Sequence, residues 1–240
     1  MKLPKAVLFD FGDTIIEDVS FTPRRGNEAL LPFISSNPNQ VTLGGIAALG
    51  RKIDGYLQVQ RDVSSLEFPC FAFSRTLYEL AGIAFSLTPV EAELTFWKAA
   101  EDSRLQPNVV EVLRWLSSQD VPMGVVSNCT FSGPVLEYEL RKHNVLDFLK
   151  FVISSADYGI RKPHRLIFET AAAKIGADPS GIWFVGDFLK NDVIGSRACG
   201  MQPVWFNPKG AQAGTSEGGI EIRSYVELLR ILTACCRPTP

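Results

Sequence analysis

The chain has 240 residues, 46% hydrophobic and 21% charged, with a formal net charge of −2. That is enough apolar material for one large domain or for a domain carrying an insertion, and the near-neutral balance argues against partners that need a global basic field, nucleic acid or an anionic membrane. Five cysteines without a CxxC pair indicate neither a disulfide framework nor a zinc site.

No apolar run has the length needed to span a bilayer. Met1-Lys2-Leu3-Pro4 leads directly into the first strand without a signal region, so the expected setting is cytoplasmic. Ala6-Val7-Leu8-Phe9 is a short continuous apolar run, the pattern of a strand buried on both faces. It stops at Asp10, and Gly12, Asp13 and Thr14 follow. Ile15 to Asn27 reads as a connector punctuated by Pro23 and Gly26. Between Glu28 and about Leu105 the pattern predicts helices and no strand. Ala29, Leu30, Phe33 and Ile34 recur at helical spacing, and Pro38-Asn39 breaks that run. Ile46 to Val63 and Phe71 to Leu80 are further helical stretches, the second closed by Gly82. Thr88-Pro89-Val90-Glu91 is a capping box with proline at the first helical position, so a fourth helix runs past Trp97.

After Pro107 strands and helices alternate. Val109 to Leu116 is an amphipathic helix, and Val121 to Val126 a strand ending at Ser127-Asn128. Val135 to Lys142 is a helix, Phe151-Val152-Ile153 a strand. Arg161-Lys162-Pro163 precedes a helix stopped by Gly176. Ile182 to Val185 is a strand ending at Gly186-Asp187, Asn191 to Cys199 a helix, and Pro203 to Phe206 a strand. Lys209 to Gly219 reads as a glycine-rich loop, and Ser224 caps a last helix, Tyr225 to Thr233. This alternation predicts an α/β fold, a Rossmann-like, mostly parallel sheet with right-handed crossovers. The expected division is a core of residues 1–20 and 106–240 with an α-helical cap, 21–105, inserted into it.

Three strands thus end in Asp10, Ser127 and Asp187, and Lys162 opens a helix between the last two. In an open α/β sheet these ends share one crevice. Two carboxylates brought together there are costly unless a cation sits between them, and an all-oxygen set suits Mg²⁺, which pairs one or two carboxylates with waters and phosphate oxygens. Asp192, five residues beyond Asp187, can face the same metal or hold its waters. Lys162, the Ser127 hydroxyl and free backbone N–H groups are donors for a phosphoryl group. A carboxylate facing a phosphate is a possible nucleophile. Taken singly, each of these residues has a plain structural use as cap, turn residue or solvated charge. Four in order, each at a strand end or helix start, are not independent accidents. Cys129 is better explained by packing than as a nucleophile, since the sequence places neither histidine as its base. His143, near a helix end, reads as structural, and His164 as exposed.

FDFGDT, VVSNCT, GIRKP and GDFLKNDVIGSRACGM resemble the four ordered motifs of the haloacid dehalogenase superfamily. The helical insertion falls where that superfamily carries its cap. The resemblance implies a Mg²⁺-dependent phosphatase of a small phosphorylated metabolite, working through an aspartyl-phosphate. By likeness, Asp10 is the nucleophile. Asp10, Asp187 and the main-chain carbonyl of Gly12 hold Mg²⁺, supported by Asp192. Thr14, Ser127, Asn128 and Lys162 secure the phosphoryl group. One departure matters. Most family phosphatases have a second aspartate, the acid and base, two residues after the nucleophile. Here that position is Gly12, and Asp13 follows it as a possible replacement. Two other readings therefore stand beside the phosphatase: a 2-haloacid dehalogenase, which needs no metal, and a catalytically weak binding protein of the same fold. Arg24, Arg25, Arg51, Arg61 and Arg75 are charged candidates for substrate specificity, with no spacing to choose among them. Nothing in the sequence specifies an oligomeric state.

Overall fold

The structure is a computed structural model that describes residues 2–210 and 219–236, apart from the side chains of residues 58–63. Ala6–Phe9 forms β1, and all four of its side chains are buried. After a turn the chain runs as β2 (Ile16–Phe21), α1 (Pro23–Leu30), β3 (Ile34–Ser36), α2 (Leu43–Val63), α3 (Cys70–Ala81), β4 (Ala84–Phe85), α4 (Pro89–Ala100) and β5 (Glu101–Leu105). The alternating part follows with α5 (Val109–Ser118), β6 (Met123–Ser127), α6 (Gly133–Lys142), β7 (Leu149–Ser154), the one-turn α7 (Ser155–Tyr158) and α8 (Arg165–Ile175). It ends with β8 (Ile182–Gly186), α9 (Gly195–Ala198), β9 (Gln202–Phe206), β10 (Ile220–Ile222) and α10 (Tyr225–Cys235).

Six strands form one sheet in the order β10-β9-β8-β1-β6-β7, and every pairing in it is parallel. The strand alternation of β1 divides the core. Val7 and Phe9 face a cluster with α5, α6 and α10, through residues such as Leu113, Leu136 and Leu228. Ala6 and Leu8 face the opposite cluster with α8, around Ile167, Phe168 and Ala171. A sheet covered on both faces leaves only its carboxyl edge open to ligands.

Between β2 and β5 the chain is mostly helical, but its elements differ from the expected ones in detail. Ile15 to Asn27 is not a connector: Ile16–Phe21 is a strand, paired antiparallel with Glu101–Leu105, and the first helix begins at Pro23. That helix ends at Leu30, where a 3₁₀ turn at Leu31–Phe33 gives way to β3, paired with β4. The strands β2 and β5 read IEDVSF and EDSRL. Their polar residues and a one-residue bulge at Val19, between the pairs Asp18–Ser103 and Ser20–Asp102, erase the period-two signal. The capping box at Thr88 and Glu91 is present as expected, and Gly82 and Gly176 close their helices in the left-handed conformation. The helix expected at Asn191 to Cys199 begins as a π-type turn, Leu189–Ile194, before α9. Of the loop expected at Lys209 to Gly219, residues 211–218 lie outside the described residues, and an edge strand, β10, follows.

Candidate active site

At the carboxyl edge, Asp10 leaves β1 with its N–H donating to Val185 O of β8. The chain then closes a tight turn: the Ile15 and Ile16 N–H groups both donate to Phe11 O, and Asp13 takes a positive φ of 51°. An open crevice of about 250 Å³ sits over this turn, lined by Asp10, Gly12, Asp13, Asp18, Ser127 and Lys162 among others.

Lys162 is the electrostatic centre. Its side chain is buried, and Nζ lies 2.6 Å from Asp10 Oδ1 and 2.7 Å from Asp192 Oδ1. Burial alone pulls an ammonium down, but the Asp10 and Asp192 carboxylates outweigh it and hold Lys162 above its ordinary value. One oxygen each of Asp10, Asp187 and Asp192 lies within 4.8 Å of the others. Burial, then the neighbouring carboxylates, push Asp187 up to about 7. Burial likewise raises Asp192 to about 6, against the pull of Lys162. Three crowded carboxylates with a single ammonium are the donor set that a divalent, oxygen-seeking cation neutralises, so the residues present fit Mg²⁺.

The local structure holds these groups by backbone contacts. Asp192 Oδ2 accepts from the Phe188 N–H at 2.9 Å. A Cβ on Gly186 would lie 2.5 Å from Asp192 Cβ, so only glycine lets the π-type turn pack that closely on β8. The Asp187 carbonyl accepts from Trp205 Nε1 at 2.8 Å.

The structure brings together Asp10, Gly12, Asp13, Ser127, Asn128, Lys162 and Asp192 around the crevice. Two of the residues expected to secure a phosphoryl group are engaged otherwise. Thr14 is fully buried and outside the crevice lining; its hydroxyl donates to Asp187 Oδ1 at 3.4 Å. The Asn128 amide spans the Lys162 peptide, donating to Lys162 O at 2.8 Å and accepting from Lys162 N–H at 2.7 Å. Its side chain thus fixes the lysine, while its position still borders the crevice.

Asp18 was hidden in the supposed connector. It projects from β2 into the crevice. Loss of water around it, then the charges of Asp13, Asp10 and Glu139, raise its carboxyl to about 6. The signal that could have found it is the Gly12-Asp13 turn itself, which sends the chain straight back across the site.

Cys129 is held far above its ordinary value by burial, which disfavours the nucleophilic thiolate and agrees with packing. His143 Nε2 pairs with Ser103 Oγ at 2.9 Å, a structural contact. His164, expected to be exposed, is half-buried and caps α8, its Nδ1 accepting from the Leu166 N–H. Arg24, Arg25 and Arg75 pair with Glu28, Asp102 and Glu79 at the surface; the Arg61 side chain lies outside the described residues. Arg24 and Arg51 line a larger cavity of about 800 Å³ between α1, α2 and α3.

The carboxyl edge of a parallel α/β sheet thus gathers three carboxylates and a buried lysine in one place. Residues 83–206 match the sequence profile of the haloacid dehalogenase-like hydrolases, and the chain belongs to that family. It is 29% identical over 114 residues to a ribulose-1,5-bisphosphate 5-phosphatase of Halopiger xanaduensis, with 47% of each chain covered. The matched segment spans about half the length of such curated relatives or somewhat less. Among solved structures it is similar to a HAD phosphatase from Thermococcus onnurineus, with a TM-score of 0.61, 24% identity and 97% and 98% of the two chains covered. It is also similar to a 2-haloacid dehalogenase from Pseudomonas syringae pv. tomato, with a TM-score of 0.67, 21% identity and 98% and 99% covered. Both likenesses are of fold. Among the described residues no helix is long and apolar enough to cross a membrane.

Proposed function

We propose that the protein is a Mg²⁺-dependent phosphatase of a small phosphorylated metabolite, with Asp10 as nucleophile. The observation that carries this reading is the Asp10–Lys162–Asp192 ion-pair chain set against Asp187. A 2-haloacid carries its own carboxylate, which three clustered carboxylates would repel without a cation. A phosphate monoester brings oxygens that Lys162 and the cation can share. The phosphatase names of curated relatives support the same class.

Asp10, Asp187 and the Gly12 carbonyl would hold the cation, with Asp192 beside them. Bound there, it would neutralise the carboxylates and draw charge from the phosphoryl oxygens. The chain's own residues do the rest. Lys162 holds Asp10 in place and compensates phosphoryl charge, Asn128 holds Lys162, and Ser127 offers a hydroxyl at the end of β6. Asp10 attacks phosphorus to give an aspartyl-phosphate, which water then cleaves. The helices between β2 and β5 act as a cap over this edge in the same reading.

The test is phosphate release from a panel of phosphorylated metabolites. EDTA is expected to abolish turnover and Mg²⁺ to restore it, and labelled phosphate quenched on the enzyme is expected on Asp10. Full turnover in metal-free buffer, or halide release from 2-haloacids, would move the protein to the dehalogenase class.

A further inference from the structure

The family likeness leaves this chain without an acid and base at Gly12, and the fold supplies a carboxylate to the same place from another strand. A Cβ built on Gly12 would have Asp18 Oδ2 as its nearest neighbour outside the adjoining residues, at 3.6 Å. Asp18 lines the crevice with Asp10, Gly12 and Lys162. We propose that Asp18 is the catalytic acid and base of this site, standing in for the side chain that Gly12 lacks.

The register of β2 is what aims it. Ile16 lies opposite Leu105 and Asp18 opposite Ser103, both on the inner face, while Glu17 points outward to Arg104. Past Asp18 the bulge at Val19 resets the alternation, so Ser20 meets Asp102 outside and Phe21, still partly exposed, lies against the aromatic rings of the helical segment and of the approach to α6. Phe21 packs against Phe96, Trp97 and Phe131 at centroid distances of 6.2, 6.0 and 5.8 Å. A bulge that re-aims side chains beside a site is a recurring device. Here it lets Ile16 and Phe21 anchor both ends of the strand while Asp18 between them stays on the crevice face. At 3.6 Å a Cβ on Gly12 would make an ordinary van der Waals contact with Asp18 Oδ2, so side chains from the two positions reach the same part of the crevice.

The chemistry balances with one proton. Asp10 attacks phosphorus as the P–O bond to the alcohol breaks, and protonated Asp18 gives its proton to the departing oxygen. Water then attacks the aspartyl-phosphate and gives a proton to the Asp18 carboxylate. The Asp10–phosphorus bond breaks, releasing inorganic phosphate and returning Asp18 to its protonated form.

This inference rests on the phosphatase reading, and the experiment separates the two. Wild type and Asp18→Asn, a nearly isosteric change, are compared with p-nitrophenyl phosphate and an alkyl phosphate in Mg²⁺, with thermal unfolding as a check that both are folded. Loss of a positioned acid–base group is worth about 10²–10⁴-fold. Asp18→Asn is expected to lose that much kcat/KM on the alkyl ester and far less on the aryl ester, whose leaving group needs no proton. With the aryl ester it is expected to give a stoichiometric burst of nitrophenolate before a slow steady state, because hydrolysis of the aspartyl-phosphate has lost its base. Gly12→Asp in the Asp18→Asn background is expected to restore alkyl turnover. Equal losses on both esters without a burst, or the same signature in Asp13→Asn with Asp18→Asn unaffected, overturn the role of Asp18. A wild type that releases phosphate from neither ester overturns the phosphatase reading, and this inference with it.

Discussion

Two residues at the crevice show how narrowly the charges are held. The Asn128 amide makes both of its hydrogen bonds to the Lys162 peptide, so its loss leaves a buried donor and acceptor without partners. Asn128→Ala is expected to cost about 1–3 kcal/mol of stability. It is also expected to lower kcat/KM by about 10²-fold, the scale of an ångström's misplacement of a catalytic group. Urea unfolding and steady-state kinetics on the same preparation read the two effects. Asn128→Asp is the sharper variant, because it keeps the acceptor for Lys162 N–H and loses the donor. Gly186→Ala tests the opposite side. The added methyl meets Asp192 Cβ, Cγ and Oδ2 at 2.5–2.6 Å, with rigid β8 behind it. Displacement of Asp192 is expected to loosen its ion pair with Lys162, lower the melting temperature and weaken activation by Mg²⁺. An unchanged Mg²⁺ titration would mean that Asp192 has no part in holding the cation.

The elements that surround the site were unequally legible. Five of the six strands of the parallel sheet announced themselves through short apolar runs such as IWFV, and their ends located Asp10, Ser127 and Asp187, whereas the three-residue edge strand β10 was not expected. Lys162 was legible as a residue of the crevice, but the service of Asn128 to its peptide was not, since no spacing encodes a contact between positions 128 and 162. The β2–β5 ladder was illegible for a physical reason: its two strands pair only with each other, and their inner positions are filled largely by polar residues such as Asp18, Glu101 and Ser103, so hydrophobicity prints no period. That ladder contains the least comfortable group outside the acidic cluster. Glu101 is 5% exposed, and its Oε1 has no hydrogen-bond partner among the described residues. Burial, then the charges of Asp18 and Glu139, raise its carboxyl from the ordinary 4.5 to about 7. The folded state therefore binds a proton that the unfolded chain releases, and stability falls as pH rises from about 4.5 through about 7. Glu101→Gln is expected to flatten that part of the curve and to stabilise the protein by on the order of 1 kcal/mol at pH 8, as chemical denaturation at several pH values would show. A curve that keeps its slope in the variant would shift the effect to another carboxyl.

At the scale of the whole molecule, the helical segment is tied between α2 and α3 to the loop that carries Lys162. The Glu67 N–H donates to Gly159 O at 3.0 Å and the Arg161 N–H to Ser65 O at 2.9 Å, around an antiparallel bridge between Leu66 and Ile160. The buried Glu67 carboxylate accepts from Ser155 Oγ at 2.7 Å and faces Arg161 Nη1 at 3.5 Å. Farther along, Glu93 of α4 accepts from the Ser132 N–H and hydroxyl at the start of α6. The bonds of this 65–67 stitch land on Gly159 and Arg161, immediately before Lys162 in sequence, so the helical segment and the lysine loop should loosen together. Glu67→Ala removes the buried partner of Ser155 and of the part-exposed Arg161, a change expected to cost about 1–3 kcal/mol as the Ser155 hydroxyl loses its acceptor. The discriminating measurement is local. Amide hydrogen exchange is expected to rise at 159–163 more than in β1 or β8, and KM for a phosphate ester is expected to rise as Lys162 loses its fixed position. Glu67→Gln, which keeps an acceptor for Ser155, is expected to recover most of the KM and only part of the stability. If Glu67→Ala lowers the melting temperature while exchange at 159–163 and KM stay at their wild-type values, the stitch is structural glue alone, and the helical segment does not govern the position of the lysine.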